Sequence, residues 1–356
     1  MKYLFLILCF FSVFTYAASV EYRADASLYS EPIAIDAFLD DWQDPDFKSG
    51  KYAFAHGLMQ LSVQQDQWNL GWLWRYDYIL KFSPDMAKLY YQIENDLPLD
   101  AESMYELTLH AQYLERIGAR IAYDWVPQSN WILTAGVSAL YGRHFVDGQF
   151  NAFGETNLMP RLADRVQWLN GQLNYYYDQP ALKEDELGLG DFRAKEGYGY
   201  ALDLTLQGEW LEKWYLKFQL EDIFSYMYWD EAPYSQYQAT FDQNSRPRIN
   251  LTGTVATDKS YKQKIPYKIS TELLYNIHSE IQLGVSSFSN PFTSLWQMHF
   301  LWQPDSLQLG LHFEPQTKSL GVSFRHENIG MKYLTDNLNT NQAHRMEAYL
   351  FAQYQW

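Results

Sequence analysis

The chain contains many segments in which apolar and polar residues alternate one by one. The clearest covers residues 68–82, where one set of alternate positions is aromatic or aliphatic throughout and the other set carries Arg75, Asp77 and Lys81. Successive side chains of a β-strand point to opposite faces, whereas a helical period would mix the two sets. The pattern therefore predicts a strand with one apolar and one polar face. Its apolar face comprises Trp68, Leu70, Trp72, Trp74, Tyr76, Tyr78, Leu80 and Phe82.

The same alternation recurs along the chain and predicts an all-β fold. It is clear over residues 105–113, 117–125, 198–206, 214–220, 296–302 and 307–313. Counting further segments, eighteen candidate strands follow residue 51, with the least regular patterns near residues 86, 234 and 329. We expect 14 to 18 strands, with 16 as the best count.

Two architectures produce such strands. A soluble β-sandwich buries its apolar faces, which are usually rich in Val, Ile and Leu. A transmembrane barrel turns its apolar face to lipid and concentrates Trp and Tyr where strands cross the interfaces. Here aromatic residues lie at strand ends, as Trp68 and Phe82 or Trp296 and Trp302 do. The pattern favours a transmembrane antiparallel β-barrel, closed because an unpaired edge cannot be solvated in hydrocarbon.

Composition and charge exclude several other classes. Aromatic residues make up 18% of the 356-residue chain, which is too rich for disorder. The formal net charge of −16 has the wrong sign for a nucleic-acid binder. Cys9 is the single cysteine, which excludes a disulfide scaffold and a zinc site built on cysteines.

The first residues have the three-part pattern of a secretory signal peptide. Lys2 precedes an apolar stretch from Tyr3 to Phe11, and small residues follow up to Ala17. We expect residues 1–17 to be removed; the alternative, an anchor helix, needs a longer apolar stretch. Residues 18–50 are then a periplasmic tail, a plug inside the barrel or an extra strand, and residues 51–356 form the barrel.

The last predicted strand carries a resemblance to a known class. Its lipid-type face includes Leu350, Ala352, Tyr354 and Trp356. This resembles the C-terminal recognition strand of Gram-negative outer-membrane β-barrels, which ends in an aromatic residue preceded by alternating hydrophobic residues. The resemblance implies an address in the outer membrane, contact with outer-membrane lipid and lipopolysaccharide, and insertion by the barrel-assembly machinery through those four residues. It identifies no particular family in that class.

Counting strands backwards from the last one assigns the connections to the two sides of the membrane. Lys259, Lys262 and Lys264 fall outside, either facing lipopolysaccharide phosphates or in a solvated charged loop. Two connections look long, 144–164 and 178–196, and parity places the first on the periplasmic side, which suggests a count that is wrong by one strand there. The second is an external loop or an infolded constriction.

Little in the sequence indicates chemistry. His299 with His312, and His144 with Asp147, are weak catalytic candidates, since no nucleophile elbow, P-loop, dinucleotide fingerprint or HExxH motif accompanies them. The acidic residues between Asp36 and Asp46 lack the spacing of a calcium loop. We expect no metal and no cofactor, and the sequence does not require an enzyme.

The polar faces define the predicted lumen. Charges enclosed in a barrel either line water or pair with one another, and a ring of 16 to 18 strands can leave an aqueous channel. The favoured hypothesis is a channel or porin for small solutes; a non-conducting barrel for export, assembly or a periplasmic partner and a lipid-modifying enzyme are the alternatives. A homo-oligomer stays open. The predicted lumen-lining residues are Arg75, Asp77, Lys81, Glu106, His110, Arg120, Asp124, Asp203, Lys217, Glu221, His299, His312 and Arg325.

Overall fold

The structure, a computed structural model, describes residues 18–157, 166–179, 194–242 and 248–356. The expected signal peptide and most of the connection 178–196 lie outside the described residues. Among the described residues, no helix combines the length and the apolar character that a membrane span requires.

The described chain is built almost entirely of strands, joined by two α-helices and one short 3-10 helix. The helices are α1 (Ile35–Leu39), α2 (Pro84–Glu94) and the 3-10 turn Thr340–Gln342. The strands are β1 (Ala18–Ser30), β2 (Tyr52–Gln65), β3 (Trp68–Phe82), β4 (Met104–Gln128), β5 (Trp131–Thr156), β6 (Val166–Tyr177), β7 (Gly197–Trp210), β8 (Trp214–Asp242), β9 (Arg248–Lys264), β10 (Lys268–His278), β11 (Ile281–Ser289), β12 (Ser294–Trp302), β13 (Leu307–Glu314), β14 (Ser319–His326), β15 (Ile329–Thr335) and β16 (Arg345–Gln355).

Fourteen of these strands form a closed antiparallel ring. Each strand pairs with its neighbour in chain order from β10 to β16 and from β1 to β5, while β7 links β5 to β8 and β8 pairs with β10. The ring closes between β1 and β16, where Ala18 and Trp356 exchange backbone hydrogen bonds of 3.1 and 3.2 Å. Residues 18–30 therefore belong to the ring, ahead of the boundary expected at residue 51.

The remaining two strands explain why the ring has fewer strands than the expected 16. Both β6 and β7 run antiparallel to β5, β6 along its second half and β7 along its first half. In the same way, β9 and β10 pair with successive parts of β8. Each of these pairs occupies one position in the barrel, so β6 and β9 lie outside the ring.

The barrel wall extends much further beyond the ring at one end than at the other. Ala18 and Trp356 lie at one end, with the tight turns from β2 to β3 and from β14 to β15. This end is here called the terminal end, and the other is called the loop end. Three strands extend past the ring at the loop end: β4 with 25 residues, β5 with 26 and β8 with 29. Together with β6 and β9 they form a sheet beyond the ring, here called the extension. The long connection expected at 144–164 is in part the extended end of β5.

The segment near residue 86 is a helix rather than the predicted strand. Ser83 caps α2 by accepting a hydrogen bond from the backbone N–H of Met86 at 3.2 Å, and Pro84 follows at the first helical position. Ala87 of this helix packs with Leu80 and Phe82 on the outer face of the ring, beside Phe38 and Phe47 of the first connection. The two connections thereby cover the outer wall at the loop end.

Along the rest of the wall the outward face is largely apolar, whereas the inward face carries the charged and polar side chains together with apolar ones such as Leu73 and Leu301. On β12, exposed and buried residues alternate without exception. Trp296 and Trp302 are 52% and 43% exposed, whereas Gln297 and His299 are buried. This orientation is the reverse of that in a soluble sheet, in which the polar face is exposed to solvent.

Close cross-strand packing makes one prediction about the wall. A Cβ added at Gly57 would overlap the ring of Tyr76 on the neighbouring strand, whereas at Gly330 it would meet nothing nearer than 3.6 Å. We expect Gly57→Ala to lower the free energy of unfolding by about 1–3 kcal/mol, since overpacking forces side chains off their rotamers. Gly330→Ala is the control and should change it little. Urea unfolding of the barrel in lipid vesicles, followed by tryptophan fluorescence, measures both; equal effects would contradict the packing described.

Candidate functional site: the lumen and its charge clusters

Six buried charged residues meet across the lumen and form the central cluster: Arg75, Asp77, Arg116, Asp203, Asp222 and Lys268. Arg116 bridges two carboxylates, donating to Asp77 at 2.6 Å and to Asp222 at 2.8 Å. Lys268 contacts the same two carboxylates at 2.8 and 2.9 Å. Arg75 donates to Asp203 at 3.0 Å and to Asp222 at 3.1 Å. The cluster joins β3 and β4 to β7, β8 and β10, so it crosses the interior.

A double irregularity in β8 places Asp222 at the centre of this cluster. The register between β7 and β8 shifts twice between Tyr200 and Leu204, and Asp222 and Phe224 adopt φ values of 58° and 51°. Bulges of this kind redirect side chains. Phe224 is 75% exposed, whereas Asp222 is buried and its backbone N–H donates to Asp203 at 3.0 Å. The bulge thus turns one carboxylate into the lumen.

Polar residues extend the central cluster towards the wall. His56 contacts Asp77 through Nδ1 at 2.7 Å, and its Nε2 lies 3.3 Å from the amide of Asn290. Arg120 donates to Asp203 at 3.4 Å. Charges removed from water are stable only when they are paired and hydrogen-bonded, and here every carboxylate of the cluster has at least two partners.

A second group of charges, the Arg345 cluster, lies on the opposite wall. Arg345 is 1% exposed and donates to Glu314 at 2.9 Å and to Glu347 at 2.6 Å. Lys332 donates to Glu347 and to the Gln297 carbonyl, both at 2.6 Å, and the Gln297 amide donates to Glu314 and Glu347. The positive charges of the two cations are equal in number to the negative charges of the two carboxylates.

Apolar side chains fill the interior next to the central cluster. Leu73, Leu114, Phe145, Met227 and Trp229 form a buried core on the side of β3 to β8. A smaller group, Phe54, Ile79 and Leu295, packs with Phe288 towards the loop end. Buried side chains from both sides of the ring therefore meet at and above the central cluster.

Beside and below the central cluster the lumen holds a cavity of about 620 Å³, here called the chamber. Its lining starts next to the turns of the terminal end, at Glu209, and reaches Arg75 and Lys268 of the central cluster and Phe288 nearer the loop end. The chamber thus extends from the terminal end past one side of the central cluster, and charged and polar groups make up much of its wall.

The predicted lumen residues divide among these regions. Arg75, Asp77 and Asp203 are in the central cluster, with Arg120 beside them. Lys217, Glu221 and Arg325 line the chamber. Asp124 accepts from Thr134 and Gln64. His299 and His312 are a buried pair with Nδ1 atoms 2.6 Å apart.

Three of the predicted lumen residues lie nearer the loop end. Lys81 and His110 are paired in register at the loop end, where both approach the ring of Phe292. Glu106 is exposed on the part of β4 that extends past β3, so it does not line the enclosed lumen. Glu106 lies outside the enclosed lumen because β4 is one long strand that extends past the ring, whereas the sequence predicted two shorter strands.

Sequence reasoning missed all four charged members of the Arg345 cluster and, in the central cluster, Arg116, Asp222 and Lys268. Arg116 has the same parity as Arg120 but lies just ahead of the segment in which alternation is clear. Asp222 points inwards only because of the bulge. Lys268 is the first residue of its strand. Among these, parity alone could have found Arg116.

The extension carries a ladder of aromatic rings. Phe145 stacks on Trp229 with centroids 4.1 Å apart, and Tyr176 stacks on Tyr261 at 3.9 Å. Burial and a hydrogen bond to Asp258 raise the pKa of Tyr176 to about 12, and burial next to Asp147 raises the pKa of Tyr261 further. Both hydroxyls therefore remain donors at neutral pH.

The second catalytic candidate, His144, lies at the base of the extension. Its Nδ1 is 2.8 Å from Asp178, not from Asp147 as the sequence suggested. Both residues line a pocket of about 180 Å³. Within the part of the chain that the structure describes, no three His, Cys, Asp or Glu side chains gather as a metal site requires.

Comparison with known proteins finds only remote likenesses. No family model and no curated protein sequence matches the chain. The toluene transporter TodX of P. putida is 8% identical, with 95% of this chain and 88% of that chain covered and a TM-score of 0.40. The toluene transporter TbuX of Ralstonia pickettii is 9% identical, with coverage of 95% and 88% and a TM-score of 0.37. A FadL homologue of Pseudomonas aeruginosa is 11% identical, with coverage of 95% and 89% and a TM-score of 0.36. TM-scores this low establish neither a family nor a shared substrate.

The central cluster makes a prediction about stability. Arg116→Met leaves Asp77 and Asp222 with one fewer cation in a buried site, and we expect it to lower the free energy of unfolding by about 3–5 kcal/mol. Arg143→Met is the control, because Arg143 is half exposed and its contact with Glu115 at 3.0 Å is worth less than about 1 kcal/mol. Urea unfolding in vesicles measures both, and a similar loss in the two variants would show that the cluster does not hold the barrel together.

Proposed function

We propose that this chain is a Gram-negative outer-membrane β-barrel that passes small solutes through a lumen closed at mid-height. The observation that carries the membrane assignment is the inverted wall. Trp296, Leu320 and Val322 are 52%, 67% and 60% exposed, whereas Arg116 and Arg345 are 0% and 1% exposed. In water such a wall would be an aggregation hazard, whereas in lipid it is the stable arrangement.

The proposal includes an orientation. The terminal end with its short turns faces the periplasm, and the extension faces outwards, as in other barrels with long external loops. Lys262 then lies in the external part, with its ammonium 3.7 Å from the ring centre of Tyr226. We infer that Lys259, Lys262 and Lys264 face lipopolysaccharide, and that Leu350, Ala352, Tyr354 and Trp356 serve as the insertion signal.

Solute passage is supported by the chamber and by the way in which the central cluster closes it. A cavity of about 620 Å³ has the size of a small-molecule site and extends to the terminal end. The central cluster, together with the apolar group of Phe54, Ile79 and Leu295, separates it from the loop end. The Nε of Arg116 is buried without a hydrogen-bond partner among the described residues, so the cluster has a spare donor and is not a fully satisfied network. Displacement of this cluster opens the path.

The buried side chains that fill the lumen also favour one alternative, a non-conducting barrel that serves export, assembly or a periplasmic partner. Buried side chains close the lumen whether or not they move, and a fixed closure would suit a scaffold. The two functions differ in what happens when the central cluster is weakened.

The test is a double substitution, Arg75→Gln with Asp203→Asn. These residues pair at 3.0 Å, so removing both charges leaves the net charge of the cluster unchanged. Asp222 keeps Arg116 and Lys268, and Arg120, which donates to Asp203 at 3.4 Å, meets an amide oxygen in place of a carboxylate oxygen. We expect small, rare currents from the wild type in planar bilayers, and severalfold faster swelling of vesicles in a small sugar for the variant, because weaker pairing lowers the barrier in the lumen.

Arg143→Gln, outside the lumen, is the matched control and should behave as the wild type. No ion current from the wild type or the double variant at any voltage, from samples whose gel mobility still shifts on heating as a folded barrel's does, would reject the channel in favour of the non-conducting barrel.

A further inference from the structure

Four polar side chains of β11 to β14, of which Ser286 lines the chamber, form a continuous hydrogen-bonded chain, Ser286–His299–His312–Ser323. Ser286 Oγ lies 2.7 Å from Nε2 of His299, the two Nδ1 atoms are 2.6 Å apart, and Nε2 of His312 lies 2.8 Å from Ser323 Oγ. Both imidazoles are buried. Neither the proposed passage of solutes nor the charge clusters use this chain of groups.

Glycines on the flanking strands make room for the two rings. In register, Gly284 lies opposite His299, His299 opposite His312, and His312 opposite Gly321. Gly310 is also required, because a Cβ there would overlap Ser323 Oγ and lie 2.9 Å from Nε2 of His312. Four adjacent strands, β11 to β14, therefore accommodate this arrangement.

The distances restrict the protonation states. A contact of 2.6 Å between two ring nitrogens requires one hydrogen between them, so one neutral imidazole carries its proton on Nδ1 and the other on Nε2. When His299 carries the Nδ1 proton, its Nε2 is free to accept the hydroxyl proton of Ser286. His312 then accepts at Nδ1 and donates from Nε2 to Ser323.

We propose that Ser286 is the nucleophile of a hydrolytic site in the chamber, with His299 as its general base and His312 as the positioning residue. A nucleophile, a base within hydrogen-bond reach and a third group that fixes the tautomer of the base are the elements of nucleophilic catalysis at serine. Ser286 is the serine at which this chemistry occurs, because it is partly exposed and lines the chamber, whereas the described lining does not include Ser323.

The walls on either side of Ser286 indicate the class of substrate. Phe288 and Leu295 line the chamber towards the loop end, and Gln297 and Lys332 line it on the polar side. This pairing suits a short-chain carboxylic ester whose acyl group contacts the apolar side. Lys332, which also donates to Glu347 and Gln297, is the cation that we assign to the oxyanion that develops on the carbonyl oxygen.

The reaction balances with water as the co-reactant. Ser286 Oγ attacks the ester carbonyl carbon as its proton moves to Nε2 of His299, and the same proton then passes to the leaving alkoxide, which departs as an alcohol. Water attacks the acyl-serine, gives its proton to Nε2, and the carboxylic acid leaves as Ser286 regains that proton.

A fluorophosphonate probe tests the proposal on the full folded barrel in detergent. We expect covalent labelling at Ser286, no labelling of this residue in Ser286→Ala, and retained labelling in the matched control Ser270→Ala, since Ser270 lines the chamber outside the hydrogen-bonded chain. His299→Gln should slow labelling at least about 100-fold, the usual contribution of a general base. Hydrolysis of p-nitrophenyl butyrate should follow the same order.

His312 is tested by its effect on His299. His312→Asn keeps an acceptor for the Nδ1 proton and should retain part of the labelling rate that His312→Ala loses, with a shifted midpoint in the pH profile of labelling. Heat-shifted gel mobility confirms that each variant is folded. Absence of labelling in the folded wild type, or equal labelling in Ser286→Ala, would overturn the proposal. Ion current is measured separately, so failure of the channel proposal leaves this test unaffected.

Discussion

Charged side chains enclosed by an apolar wall must neutralise one another inside the barrel, because the wall separates them from bulk water. This constraint joins residues that are far apart in the chain: Arg75 and Asp222 are 147 positions apart and lie 3.1 Å from each other. The contacts require β3 and β4 to face β7, β8 and β10 across the lumen. The curvature of the wall and the central cluster therefore depend on each other.

The bulge in β8 shows how this constraint overrides regular strand geometry. In a regular strand, consecutive side chains point to opposite faces. Glu221 lines the chamber and Asp222, the next residue, belongs to the central cluster, so two neighbouring carboxylates both face inwards. The positive φ of Asp222 makes this arrangement accessible, and the exposed Phe224 follows from it. A local backbone cost is accepted because the two arginines and Lys268 need this carboxylate.

The alternation of apolar and polar residues predicted the strands whose inward face carries polar side chains. It failed to predict the segments whose inward side chains are apolar. On β3 and β12 the alternation predicted both the strand and the inward face. On β4 the pattern breaks at residues 114–116, because Leu114 joins the buried core while Glu115 faces outwards and accepts from Trp74 at 3.0 Å. The sequence therefore predicted two strands in place of β4, and Arg116, which lies between them, was not included among the predicted lumen residues. The helix at Pro84–Glu94 and the shared ring positions of β6 with β7 and β9 with β10 depend on contacts that alternation does not record.

The two halves of the barrel also differ in what their strands contribute. Strands β11 to β15 are short, with seven to nine residues each, and their inner faces carry the hydrogen-bonded Ser and His side chains and part of the chamber wall. The long strands β4, β5 and β8 carry the apolar core and the irregularities. Lys268 follows the break between β9 and β10, and Asp222 lies in the bulge opposite it. Lys268 and Arg116 both contact Asp77 and Asp222, so a shift of this single region would loosen all of these contacts at once. The side chains of Ser286, His299, His312 and Ser323 are held by hydrogen bonds to one another within β11 to β14, so the closure and this hydrogen-bonded chain depend on separate sets of contacts.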